Sequence, residues 1–353
     1  MEGQTDEGGI EQVRYGLPYK GSKNLIAEWV VDNLPPAEVF VDLFFGGGAV
    51  THRAMLTGKY KRFIVNDIDA RLPKLFLECA YGKHTVDNHP EWISREEFHR
   101  LKNSDAYVAL VWSFGNNGKD YMYGADLEEY KHGLHMACFH NDLSILSEFG
   151  INLKKSTKAD VYERYLDYSR QIGNMKHNML ESFTRLQALE HLQSLQSLQS
   201  YGTDYRNVPI PDNALIYCDI PYIGTNCGKY DGFNHGAFYE WARQQSNIFI
   251  SEYSMPDDFI EVANTEKIVL SSASRNDIKT TERIYTNHRT YDSLSDDFKA
   301  VIATNTAQQI TIYDFLEDQT DDQIPHGHPR RHRPAGPASE SGAVGTGGYG
   351  CGL

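Results

Sequence analysis

At the end of the apolar run Ala214-Leu215-Ile216-Tyr217-Cys218 stands the tetrapeptide Asp219-Ile220-Pro221-Tyr222. It gathers a carboxylate, a backbone carbonyl and an aromatic face in one turn, a set able to hold and methylate an exocyclic amine such as adenine N6. Such an amine is a poor nucleophile, because its lone pair is delocalised into the ring. Two acceptors drawing on its hydrogens, the Asp219 carboxylate and the Ile220 carbonyl, push the nitrogen toward the tetrahedral form that attacks a methyl cation equivalent. A base inside a duplex is out of reach and must be swung out and gripped. Tyr222 offers a ring for that, since every base has a π face. The same four residues also suit an ordinary strand-to-turn transition, in which Pro221 stiffens the turn and Tyr222 packs.

The elements around this turn decide whether it can serve a site. Leu25, Ile26, Trp29 and Val30 recur at helical spacing, with Ser22 as a cap and Pro35-Pro36 as a stop. A buried strand, Val39-Phe40-Val41-Asp42-Leu43-Phe44, then runs into Phe45-Gly46-Gly47-Gly48. A helix from Thr51 to Leu56 closes near Gly58, and Arg62-Phe63-Ile64-Val65 begins a second strand ending at Asn66-Asp67. Strand, glycine turn, helix, strand is the opening of a doubly wound, Rossmann-like α/β sheet. Strand signals resume at Leu215-Ile216-Tyr217, Ile248-Phe249-Ile250 and Ile268-Val269-Leu270. Ala300-Val301-Ile302-Ala303 and Gln309-Ile310-Thr311-Ile312-Tyr313 read as a closing hairpin.

Residues 71–205 do not alternate strand and helix, and are expected to form an inserted, mainly helical domain. It ends in three tandem Leu-Gln-Ser triplets from Leu192 to Ser200. A strict three-residue repeat drifts around an α-helix by about 60° per step, so the triplets suit a short helical spacer better than a DNA-contacting or dimerising element. Trp112-Ser113-Phe114-Gly115-Asn116-Asn117-Gly118-Lys119 is an aromatic, amide and glycine loop. Asparagine can read adenine bidentately and lysine can hold phosphate, although an exposed turn without a ligand has the same composition. His132, His135 and His140 lack a partner carboxylate in helical register and read as packed or solvated rather than as metal ligands. Residues 320–353 turn to Gly, Pro, His and Arg and are expected to be a disordered tail.

A length of 353 residues with 40% hydrophobic and 12% aromatic content is that of a folded chain with a full core. Cys79, Cys138, Cys218, Cys227 and Cys351 are scattered and odd in number, which suits a reducing compartment. The N-terminal segment has neither the basic nor the apolar region of a signal peptide, and no apolar run is long enough for a membrane span, so a cytoplasmic protein is expected. A net charge of −14 counts against nucleic acid as a partner unless lysines and arginines gather on one face.

Gly46-Gly47-Gly48 at a strand end admits close approach of a ligand. Asp67, about 20 residues on, stands where an acidic residue can bind ribose hydroxyls. Both features suit a nucleotide-like ligand, a dinucleotide included, although the glycines do not follow the Gly-x-Gly-x-x-Gly spacing, and a purely structural turn would also use them. Pro18-Tyr19-Lys20-Gly21-Ser22-Lys23 places lysines near a glycine turn, where they can meet a ligand carboxylate or form a solvated helix start.

Together these segments resemble the Dam-type adenine-specific DNA methyltransferases, particularly the phage-associated members. The family's Gly-Gly-Lys segment is matched by Tyr19 to Lys23, with Ser22 in place of a glycine. Its acidic-x-Phe-x-Gly-x-Gly strand end is matched by Asp42 to Gly48, its Ala-Asp-Ile-Asn by Asn66-Asp67-Ile68-Asp69, and its Asp-Pro-Pro-Tyr by Asp219-Ile220-Pro221-Tyr222. The similarity continues through Lys229 to Phe238, Ser251-Glu252-Tyr253 and Thr281 to Tyr285. Ile220 in place of the first proline keeps the carbonyl but loosens the turn, and neither departure removes a functional side chain.

The resemblance implies a methyltransferase domain of residues 1–70 and 206–319 and a target-recognition domain of 71–205. It implies S-adenosylmethionine against Tyr19, Lys23, Asp42, Phe44, Gly46, Gly48 and Asp219, with its ribose on Asp67. It further implies a flipped adenine at Asp219, Ile220, Pro221 and Tyr222, and double-stranded DNA against Trp112, Asn116, Asn117 and Lys119. No metal and no obligatory protein partner are implied. A solitary phage or bacterial enzyme and the modifying half of a restriction pair fit equally. The alternatives are an amine methyltransferase acting on cytosine N4, RNA adenine or a glutamine amide, and a catalytically silent DNA-binding protein.

Overall fold

The computed structural model of the chain describes residues 14–173, 178–189, 192, 195–223, 232–270, 277–304 and 308–312. Strands β1 (Val39–Asp42), β2 (Arg62–Asn66), β3 (Leu198–Tyr201), β4 (Ala214–Asp219), β5 (Ile248–Glu252), β6 (Phe259–Leu270), β7 (Asp277–Asn287) and β8 (Gln308–Ile312) form one sheet in the order β3-β2-β1-β4-β5-β7-β6-β8. β7 runs antiparallel between β5 and β6, and the other pairings are parallel. Helices α1 (Ala27–Asp32) and α2 (Ala49–Thr57) flank β1. Between β2 and β3 lie α3 (Arg71–Ala80), α4 (Arg95–Leu101), α5 (Ala106–Val111), α6 (Glu128–His140), α7 (Ser144–Glu148), α8 (Val161–Ile172) and α9 (Asn178–Gln187). α10 (His235–Gln244) joins β4 to β5, and α11 (His288–Ser293) and α12 (Asp296–Thr304) join β7 to β8.

The central strands are apolar and buried, as strands covered on both faces must be. Their side chains alternate between two cores. Phe40, Phe63, Leu215, Tyr217 and Phe249 face one side, where Phe76, Phe98, Trp112 and Phe183 of the helical segment continue the same cluster. Val39, Val41, Ile64, Ile216, Cys218 and Ile250 face the other, against Phe238, Tyr239 and Ala242 of α10. The helices between β2 and β3 therefore share a core with one face of the sheet.

From β1 the chain steps outward to β2 and β3, then returns to place β4 on the other side of β1. That reversal opens a crevice beyond the carboxyl ends of β1 and β4, the usual ligand position in such sheets. Asp42 ends β1 and Asp219 ends β4, and the register pairs Asp42 with Tyr217 and Asp219 with Ser251.

Several elements differ from the sequence reading. α1 starts at Ala27 after a turn, and Ser22 does not cap it. The third Leu-Gln-Ser triplet is no helical spacer: Leu198–Tyr201 pairs with Phe63–Asn66, so the segment 71–205 lends a strand to the sheet. At this sheet edge the parallel pairing with β2, rather than any two-residue alternation, sets the conformation and overrides the repeat. The expected hairpin is absent. Ala300–Ala303 belongs to α12, where Ser295 accepts the Phe298 N–H at 3.2 Å, and β8 pairs in parallel with β6. The expected tail, with Cys227 and Cys351, lies outside the described residues, as do Lys229, Tyr230 and Asp231. Cys79, Cys138 and Cys218 are buried free thiols. Among the described residues no helix is long and apolar enough to cross a membrane.

Candidate active site

The glycine turn after β1 is built for close approach. Gly46 and Gly48 have φ of +50° and +69°, and a Cβ on Gly48 would lie 2.2 Å from Phe45 Cζ, so glycine is the residue that fits there. Tyr19 packs over the turn, since a Cβ on Gly47 would lie 2.8 Å from Tyr19 Cβ. The Gly46 N–H donates to Asp67 Oδ2 at 2.8 Å, and the Asp69 N–H to Asp67 Oδ1 at 2.8 Å. Asp67 thus locks the β1 and β2 ends to each other. Asn66 adds to this by donating to the carbonyls of Leu43 and Thr203. Phe44 lies half-buried, edge-on to Phe233 and Phe238.

Asp42 is buried beneath the turn. Its Oδ2 accepts from Thr51 Oγ1 at 2.7 Å, while Oδ1 has no hydrogen-bond partner. Burial pushes its carboxyl up to about 7, and the charges of Asp219 and Asp67 push the same way, against the Thr51 hydrogen bond. Ser22 Oγ is likewise buried without a partner, close to Gly47. Two unsatisfied polar atoms beside a glycine turn are costly in a folded core and mark a surface suited to a polar ligand.

At the end of β4, Lys23 Nζ donates to Asp219 Oδ1 at 2.8 Å and stands 3.4 Å from Glu282 Oε1 on β7. The Asp219 side chain keeps 21% of its surface exposed, against 8% for Lys23 and none for Glu282, so the outer carboxylate of the group is Asp219. Burial alone would lower the Lys23 ammonium, but the Asp219 and Glu282 carboxylates outweigh it and hold the lysine charged. The ammonium also lies 4.4 Å from the centre of the Tyr222 ring. The Tyr222 hydroxyl donates to Glu282 Oε1, and its ring meets Tyr253 edge-on at 4.6 Å. Ile220 is buried, and the Pro221 carbonyl accepts from His235 Nε2 at 2.7 Å, which fixes the turn that the missing proline loosens.

Glu252, at the end of β5, takes the backbone N–H groups of Tyr253 at 2.7 Å and Ile223 at 3.3 Å. Burial pushes its carboxyl up to about 7, and those two N–H groups only partly offset this. The structure thus brings Tyr19, Lys23, Asp42, Phe44, Gly46, Gly48, Asp67 and Asp219 to Tyr222 around one crevice, and adds Glu252 and Glu282. Neither acid is among the site residues expected from the sequence. Their signal is an acidic residue closing β5 one serine beyond its apolar run, and another in a strand too polar to read as one.

The loop after α5 is placed differently. Trp112 is fully buried, donates its indole N–H to the Tyr107 hydroxyl at 3.4 Å and packs edge-on against Trp92. The expectation that it meets DNA is corrected: a bulky indole at a helix end is drawn into the core. Asn116 spends its amide N–H groups on the Leu110 carbonyl and Ser182, and Asn117 Oδ1 accepts the N–H groups of Lys119 and Asp120. Lys119 is exposed. The Asn116 carbonyl accepts the Lys20 N–H at 3.2 Å, tying the loop to the Tyr19–Lys23 segment. His135 and His140 both hydrogen-bond the Pro90 carbonyl, and His135 stacks on Phe139.

A seven-strand order with one antiparallel strand, extended here by β8, and an acidic crevice at the switch point define a Rossmann-like methyltransferase. The family model for D12 class N6 adenine-specific DNA methyltransferases matches residues 19–293, and the chain belongs to that family. It is therefore a DNA adenine methyltransferase, and the match spans every crevice residue described above. A search of curated proteins finds no match.

Proposed function

We propose that the enzyme transfers a methyl group from S-adenosylmethionine to adenine N6 in double-stranded DNA, in the cytoplasm, on a base swung out of the helix. The observation that carries this reading is the Asp219 carboxylate, held by buried Lys23 at 2.8 Å yet open at the crevice. A fixed acceptor needs no reorganisation when charge develops on the amine.

The residues fit the cofactor. Tyr19 packs against the Gly46–Gly48 turn, and Asp42 Oδ1 and Ser22 Oγ offer unsatisfied polar atoms beside it. Tyr19, Lys23, Asp42, Phe44, Gly46, Gly48, Asp67 and Asp219 would hold it. When bound, it supplies an electrophilic methyl group on a sulfonium. Asp219 and the Ile220 carbonyl accept the two N6 hydrogens and so raise the nitrogen's nucleophilicity. Pro221 holds that carbonyl in place, and Tyr222 stacks on the base. The proton released by the methylated amine passes to water or to Asp219, so no stronger base is required.

Residues 71–205 are assigned to target recognition, with exposed Lys119 as the DNA contact of the loop after α5 and Asn116 and Asn117 holding that loop in shape, and residues 1–70 and 206–319 to catalysis. Incubation of plasmid DNA with tritiated S-adenosylmethionine, followed by nucleoside analysis, tests the whole reading. Label in N6-methyladenine is expected. Label in cytosine, or a gel shift without label, would overturn it.

A further inference from the structure

Glu282 is the most buried charge of the crevice and the one furthest in sequence from the strand-end motifs. One oxygen of this carboxylate, Oε1, meets both the Tyr222 hydroxyl and, at 3.4 Å, the Lys23 ammonium. Lys23 in turn grips Asp219 and lies against the Tyr222 ring. A carboxylate with no exposed surface is costly unless its partners compensate it, and here the partners are the two groups that flank the acceptor of the proposed reaction. Burial and the neighbouring carboxylate keep the Tyr222 hydroxyl protonated and able to donate.

We propose that Glu282 is a positioning residue: from β7 it fixes the angle of the Tyr222 ring through the hydroxyl, while Lys23 keeps its own 2.8 Å bond to Asp219. This rests on the role given to Tyr222 and Asp219 above. β7 is the antiparallel strand inserted between β5 and β6, and Arg283 pairs with Glu252 in the ladder, which brings Glu282 to the crevice. Without it, the ring rotates about its side-chain bonds and the stacking platform is populated only part of the time. The consequence falls on turnover rather than on cofactor affinity.

The test is a double-mutant cycle on the full chain, with initial rates of tritium transfer to plasmid DNA at saturating cofactor. Glu282→Ala and Tyr222→Phe are each expected to lower kcat about ten- to a hundredfold, the range for a hydrogen bond to a charged group, with cofactor affinity by calorimetry within about threefold of wild type. Glu282→Gln, which keeps an acceptor, falls between wild type and Glu282→Ala. In the Tyr222→Phe background, removal of Glu282 costs at most a further threefold or so, because the shared link is already broken. A structural role alone would move both backgrounds equally, so multiplicative losses overturn the proposal. If the Ala variant does not fold, Tyr222→Phe and Glu282→Gln decide: full kcat in Tyr222→Phe overturns it too. Multiplicative losses leave the methyl-transfer reading standing, whereas a wild-type chain that puts no label into N6-methyladenine removes that reading itself.

Discussion

The carboxyl edge of the sheet and the loop after α5 use polar side chains in opposite ways. At the edge, Asp219 and Glu282 pair with buried Lys23, and the carboxyls of Asp42 and Glu252, each acted on by Asp219, are pushed up to about 7. In the loop, Asn116 and Asn117 satisfy nearby backbone and side-chain groups, and Trp112 fills the core. The first arrangement costs stability and leaves Asp42 Oδ1 unmatched; the second stabilises the fold and leaves little over. Excess electrostatic cost at a crevice points to chemistry, whereas polar groups consumed locally point to scaffold. Lys119 is the exception within the loop, since its side chain remains exposed.

The strongest way to break this contrast is at Asp219. Asp219→Ala is expected to reduce methyl transfer by on the order of a thousandfold, with cofactor affinity largely kept. Rates of tritium incorporation paired with calorimetric titration measure both. Full activity in the variant would mean that the crowded carboxylates are structural and that the acceptor lies elsewhere.

The opposite end of the comparison predicts a stability effect without a specific one. Trp112→Ala deletes a fully buried indole and should lower unfolding free energy by about 3 to 5 kcal/mol, read by chemical denaturation. At a temperature where the variant stays folded, its DNA affinity should match wild type. Weakened DNA binding with unchanged stability would instead place the indole at the nucleic acid.

Asp42 gives a pH signature of the cost at the edge. Its carboxyl moves from an ordinary 3.8 up to about 7 in the fold, so between those values the folded protein holds a proton that the unfolded chain has released. Stability from this group is therefore present at low pH and lost as pH rises toward 7 and beyond. Asp42→Asn removes the titration. Relative to that variant, wild type should lose on the order of 3 kcal/mol between about pH 4 and pH 8. Burial depresses His52, His89 and His135 to about 4, with the opposite sign, but these act alike in both proteins and cancel in the difference. A gap that stays constant with pH would show that the buried carboxyl carries no such cost.

Much of the edge was legible because parallel-strand topology fixes where a strand end points. A run such as Val39–Val41 or Leu215–Cys218 announces a buried strand, and the acid that follows must stand at the crevice. Glu282 was not legible in that way. Its strand reads Asp-Ile-Lys-Thr-Thr-Glu-Arg, with no apolar run to mark it, and only pairing with β5 brings it beside Lys23 and Tyr222. The same limit hid β3, where tertiary pairing with β2 overrode a repeat that looked like a spacer. It also turned Ala300–Ala303 from strand to helix, where the Ser295 cap and the acidic first turn outweighed β-branched residues. In the loop, residue types suggested base reading, but short amides close to backbone donors satisfy those first.

The smallest expected effect separates scaffold from contact inside the loop itself. Asn117→Ala removes an acceptor for the Lys119 and Asp120 N–H groups and should cost about 1 kcal/mol of stability. Lys119→Met should leave the melting temperature unchanged, because its exposed ammonium supports no described element. If the loop faces the duplex, that substitution weakens DNA binding slightly and lowers the slope of log affinity against log salt by about one unit. Titrations of labelled duplex at several salt concentrations read this slope directly. An unchanged slope would place the phosphate contacts on another part of the helical segment and leave the loop as structure alone.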